Sequence, residues 1–147
     1  MKEKTRWQLP AGFFDLGINI CVRLDFAVMW EFTYYEDSRG NALVENFILA
    51  IAERKLRTQL LAKLGLIAAR PFLAEPHYKR FTNYPVDFGE LIVGDFRIFV
   101  HRVSKNEYLM VHAFRKKSNA TPRKEIDLAF GRILDFISRQ NYEKGSR

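Results

Sequence analysis

The chain has 147 residues, the usual size of one domain, and its 48% hydrophobic and 28% charged residues exclude global disorder, collagen-like repeats and low-complexity architecture. Its longest run without Asp, Glu, Lys or Arg is eight residues, Trp7 to Phe14, against the roughly 18 to 20 apolar residues of a membrane-spanning helix. One cysteine, Cys21, allows no internal disulfide and no cysteine-rich zinc site, which suits a soluble, cytoplasmic protein, and 24 basic against 17 acidic side chains leave a net charge of +7.

Residues Lys2 to Arg6 are polar, and Trp7 to Val28 mix apolar residues with Pro10, Gly12 and Gly17 in no clean period. Asp15, Arg23 and Asp25 break any signal-peptide core. From Met29 the alternation of Trp30 to Tyr35 predicts a strand, and Asp37 to Asn41 is turn chemistry. Ala42 to Arg70 contains no proline and reads as helix. Val44, Phe47, Ile48 and Ile51 fall on one face, and Leu56, Leu60, Leu64 and Ile67 continue it. A break near Ala52 to Lys55 would make this a helical hairpin; an unbroken helix fits the same pattern. Pro71 and Pro76 close the region.

The period then changes to two. Phe88 to Val93 predicts a strand turning at Gly94-Asp95, Phe96 to His101 a second, and Tyr108 to Phe114 a third after the turn Ser104 to Glu107. Such a meander forms an antiparallel sheet. Thr121 is a candidate N-cap with Pro122 at the first helical position, and Ile126, Ala129, Phe130, Ile133 and Ile137 make one apolar stripe. The fold class is α+β: a sheet of about four antiparallel strands, an N-terminal helical pair and a C-terminal helix.

The charge is local. Arg97 to Lys124 carries eight basic residues against one acid, Glu107, a net +7 within 28 residues. Concentration of this kind is the footprint of a polyanion partner such as nucleic acid, the alternative being a solvated basic face. No glycine-rich phosphate loop accompanies it. His77, His101 and His112 never fall at i, i+4 on a helix, so no metal site and no cofactor is expected. His101 and His112 lie on adjacent strands, either as ordinary strand residues or as proton carriers. Arg123 and Lys124 open the last helix, where the macrodipole favours acids; two cations there break that rule, as functional sites often do, the alternative being exposed solubilising charge.

Phe96-Arg-Ile-Phe99, then Leu109-Met-Val-His-Ala-Phe-Arg-Lys-Lys117, then Thr121-Pro-Arg-Lys-Glu-Ile-Asp-Leu-Ala129 together resemble the RelE/HigB toxin superfamily, in its phage-derived branch. The resemblance runs from Met29 to about Gln140. It divides the chain into an extension of unknown role (1–28), a toxin domain (29–141) and a tail (142–147). It implies a RelE-like fold and the toxin of a type II toxin–antitoxin pair. Such a toxin is a metal-independent endoribonuclease cleaving mRNA, commonly on the ribosome, and is held in check by a small antitoxin protein. In such enzymes a ribose 2′-hydroxyl attacks the neighbouring phosphate while basic side chains stabilise the developing charge. By the same resemblance Arg97, Arg115, Lys116 and Lys117 are the catalytic candidates; Lys79, Arg80, Arg102, His112, Arg123 and Lys124 are the candidate RNA contacts. Relatives carry Glu-Leu-Arg where this chain has Glu90-Leu91-Ile92, and the tyrosine of some relatives is missing from Thr121 to Ile133. These departures leave two alternatives: a non-catalytic RNA- or protein-binding member of the same fold, or a toxin acting on another target such as DNA gyrase.

Overall fold

A computed structural model describes residues 31–146. The expected N-terminal extension lies outside the described residues. The elements run β1 (Glu31–Tyr34), α1 (Leu43–Leu49), α2 (Arg54–Ala68), β2 (Tyr78–Phe81), β3 (Phe88–Val93), β4 (Phe96–Ser104), β5 (Glu107–Arg115) and α3 (Arg123–Gly145). The α+β class holds, and the long helical region is broken at residues 50–53 into two helices. The sheet departs from expectation in two ways. It has five strands rather than four, in the order β1-β5-β4-β3-β2, and it is mixed. The meander β2 to β5 is antiparallel throughout, whereas β1 runs parallel to β5. A parallel partner needs a crossover, and α1 and α2 lie in the chain between β1 and the meander.

Both faces of the sheet are covered. Alternation along β3 sends Leu91 and Val93 to one face, where they meet Val44 and Ile48 of α1 and Leu60, Leu64 and Ile67 of α2. Phe88 and Phe99 point to the other face, against Ala129 and Ile133 of α3. The stripe expected on the last helix is thus the one that packs, and Ile133 is completely buried.

Two features set where side chains point. Gly94, at φ +59°, takes the first position of the two-residue turn between β3 and β4, a conformation that glycine adopts without strain. In β5 the register slips: Phe99 pairs with His112 but Val100 pairs with Met110, so Val111 is an extra residue. This bulge reverses the phase of the strand. Met110 and Ala113 therefore share the α1/α2 face, while Val111 and Phe114 lie toward α3.

Helix α3 begins one residue later than expected. Pro122 is its N-cap, and no side chain caps the first turn. Thr121 is engaged elsewhere: its hydroxyl donates to the Glu90 carboxylate at 3.0 Å.

Candidate functional site

The start of β4 and the end of β5 meet at one end of the sheet, where Phe96 pairs with Arg115 and Arg97 with Phe114. Lys116 continues the pairing, its backbone N–H donating to the Asp95 carbonyl at 2.7 Å. Cross-strand partners share a face. Arg115 accordingly stands on the α1/α2 face, its guanidinium over the Phe96 ring at 5.6 Å and 3.8 Å from the Asp95 carboxylate. Arg97 stands on the α3 face. Arg97, Arg115 and Lys116 thus share one end of the sheet, but the two arginines project to opposite sides of it.

Arg97 is the better-held of the two. Its NH1 donates to the Gly94 carbonyl at 2.7 Å and to the Phe96 carbonyl at 2.9 Å, tying the side chain to the β3–β4 turn. Its Nε is buried and has no partner among the described residues. Its neighbour across the other ladder is Ile92, the position at which the resembling toxins carry arginine. Lys117 is exposed in the loop leading to α3, and Arg123 and Lys124 are exposed on its first turn, Arg123 within 3.9 Å of Asp127. These residues complete the basic rim.

The remaining basic candidates lie elsewhere. Arg102 is five residues along β4 from Arg97, about 17 Å at the usual rise per strand residue, and donates to the carbonyls of Ser104 and Lys105. Arg80 lies on the edge strand β2, within 3.3 Å of the Asp87 carboxylate. Lys79 is directly across from Glu90 in the ladder between β2 and β3. Only Lys79, of these three, is beside the residues that build the Arg97 end.

His112 is engaged on both ring nitrogens. Arg132 of α3 donates from NH1 to Nδ1 at 3.0 Å and also to the Val111 carbonyl at 2.9 Å. Arginine has no acceptor, so Nδ1 must accept, and Nε2 then carries the proton that it donates to the Glu125 carboxylate. Burial is the main cause that holds the His112 pKa below the usual histidine value, overriding the opposing pull of Glu125. The contact is a hydrogen bond of a neutral ring rather than an ion pair. Arg132 meanwhile satisfies the carbonyl of the bulged residue. His112, Glu125 and Arg132 form a clasp that fixes α3 on the sheet.

Sequence reasoning missed Glu90. It is 3% exposed on the α3 face, diagonal to Arg97 across the ladder, and both its carboxylate oxygens face the Thr121 hydroxyl. It anchors the loop 116–122 that carries Lys116 and Lys117. A single acid within a β-strand reads as an ordinary polar position, so nothing local marked it.

Away from the basic rim, a cleft of about 430 Å³ opens beside the β1 end, lined by Thr33, Tyr35, Asp37, Glu107, Phe136 and Arg139 among others. None of the residues expected from the sequence lines it. Among the described residues no three His, Cys, Asp or Glu side chains gather as a metal site requires, and no helix is long and apolar enough to cross a membrane.

The family model of phage-derived, Gp49-like proteins matches residues 49–133, more than half of the chain, including α2, all four meander strands and the first half of α3. The chain belongs to that family. Every member of the basic rim of this Gp49-like protein falls inside the matched span, as do Glu90, Thr121 and His112. No curated protein matches the chain.

Proposed function

We propose that this Gp49-like protein is the toxin of a type II toxin–antitoxin pair and acts as a metal-independent endoribonuclease on mRNA, at the ribosome. The observation that carries the reading is the guanidinium of Arg97. It is fastened to a turn by two carbonyls, keeps an unpartnered buried Nε, and stands on a rigid strand at the most basic end of the molecule. A preorganised cation of this kind suits the charge that develops on a phosphate under attack. The ribose 2′-oxygen bonds to phosphorus and gives its proton to water, the bond to the 5′-oxygen breaks, and that oxygen takes a proton from water, leaving a 2′,3′-cyclic phosphate and a 5′-hydroxyl. Arg97 steadies the equatorial oxygens, while Lys116, Lys117 and Arg115 hold the flanking phosphates. Arg123 and Lys124 extend the track. A small antitoxin protein covering this rim would silence it. Membership of a phage-derived family supports the reading.

Ile92 favours a second reading. It gives Arg97 an apolar neighbour where the resembling toxins have a second arginine, as a non-catalytic RNA-binding member would. Induced expression separates the two. The nuclease arrests growth and leaves cleaved transcripts during translation, and co-expression of a neighbouring antitoxin restores growth. Normal growth with intact transcripts, at confirmed soluble expression, selects the binding protein.

A further inference from the structure

We infer that Phe114 is a stacking platform for a nucleobase, so that the site takes single-stranded RNA with one base laid on the sheet beside Arg97. The inference rests on the RNA reading of the basic rim and names what lies next to the phosphate contact. Phe114 is directly across from Arg97 in the ladder between β4 and β5, so the two side chains leave the same face as neighbours. On that face three rings lie nearly parallel. Phe114 is inclined by 18° to His112 and by 20° to Phe99, with centroids 6.0 and 5.8 Å apart. His112 and Phe99 are inclined by 20° at 5.9 Å.

Other pairs on this face take both arrangements, Tyr84 meeting Phe88 edge-on at 79° while Phe81 lies at 22° to Phe99, so the parallel set extends from Phe81 through Phe99 to Phe114. Here the rings share one orientation because two of them are fixed from outside. Phe99 is completely buried under α3, and His112 is clasped by Glu125 and Arg132. Phe114 inherits the orientation but stays half-buried, since it lies beyond the first turn of the helix at the charged rim. Ile92, on the far side of Arg97, extends the apolar floor. A flat ring beside a held guanidinium and a run of lysines is the pairing by which sheets bind single strands: the cations follow the backbone and the ring takes a base. Purely structural packing accounts for Phe99, which is sealed. Phe114 packs on that core along one side and keeps part of its ring open beside Arg97, which packing alone does not require.

The test uses the full chain, a short single-stranded RNA and a matched RNA with one abasic position, walked along the oligonucleotide. Phe114→Leu keeps the apolar volume and removes the platform. It is expected to weaken binding of the intact RNA by about 10-fold, within the roughly 5- to 150-fold span of base–aromatic stacking, with the salt slope unchanged. The abasic RNA at the critical position binds Phe114→Leu and the wild type alike. Phe114→Trp should retain affinity, and its added emission, taken as the difference from the wild type, should be quenched by the intact RNA and not by that abasic one. Equal affinity of Phe114→Leu and the wild type for intact RNA overturns the inference, as does equal quenching by both RNAs. Base-dependent binding in a protein that does not arrest growth upholds the platform and rejects the nuclease. Growth arrest with a Phe114→Leu variant that binds normally does the reverse. Failure to bind RNA at all overturns both.

Discussion

Replacing Arg97 separates chemistry from binding, and the structure sets the size of each effect. Arg97→Ala removes two hydrogen bonds to the β3–β4 turn. One acceptor, the Gly94 carbonyl, is exposed and regains water, so at about 0.5–1.5 kcal/mol for each bond the loss of stability is about 1–2 kcal/mol. That corresponds to a fall of only a few degrees in melting temperature. Binding loses one cation of the six on the rim, the others being Arg115, Lys116, Lys117, Arg123 and Lys124. The slope of log affinity against log salt should therefore shrink by about 0.7 for a single strand. Chemistry loses its preorganised donor, which typically costs on the order of 10² to 10³ in rate. Cleavage in a translating extract, RNA binding at several salt concentrations and thermal melting read the three quantities independently. Arg97→Lys keeps the charge but loses the planar guanidinium, whose NH1 holds both carbonyls while leaving its other N–H groups for a phosphate, so it should recover binding fully and activity in part. A folded Arg97→Ala protein that cleaves at the wild-type rate refutes the assignment.

Three further outcomes follow from the packing. Ile133→Ala empties a fully buried position between α3 and the sheet and should lower stability by about 2–5 kcal/mol in denaturant titration; a smaller loss would mean that α3 is not a core element. At Gly89 an added Cβ would lie 2.3 Å from the Lys79 carbonyl and 2.7 Å from the Tyr78 ring, so Gly89→Ala should detach β2, seen as faster amide exchange over Tyr78 to Phe81 with β4 and β5 still protected. His101 and His112 are both held below the ordinary histidine value of 6.5, by burial first of all. The unfolded chain then binds more protons than the folded one, so stability is full above pH 6.5 and falls as the pH drops below it. Melting temperatures at pH 7.5 and 5.5 measure the loss, and His112→Gln should reduce it; a melting temperature that rises on acidification contradicts the neutral clasp.

The sequence was most legible where one period ran unbroken. The stripe from Ile126 to Ile137 and the strand β3 needed only local counting, and the break between α1 and α2 was one of two arrangements the pattern allowed. Strand β2 escaped because four residues, Tyr78 to Phe81, are too short to display an alternation between Pro76 and Pro85. The parallel pairing of β1 with β5 joins residues more than 70 positions apart, and nothing within either segment encodes it. The bulge at Val111 was hidden for a different reason. Valine is as suitable for a regular strand as for an irregular one, so strict alternation puts Arg115 on the face of Arg97 and His112 on the opposite one. The structure reverses both. Glu90 and Thr121 were each visible as polar residues, but the bond between them spans 31 positions.

On the proposed RNA reading, that reversal of phase would govern what shape of ligand the basic rim accepts. With Arg97 on one face of the sheet and Arg115 on the other, joined around the edge by Lys116 and Lys117, no flat surface touches all four cations together. A duplex, whose persistence length is about 150 base pairs, is too stiff to turn so tight a corner. A flexible strand bends around it at little cost. One extra residue in β5 thus turns a positive patch into a curved one, and on that reading the curvature would favour single over double strands before any base is read.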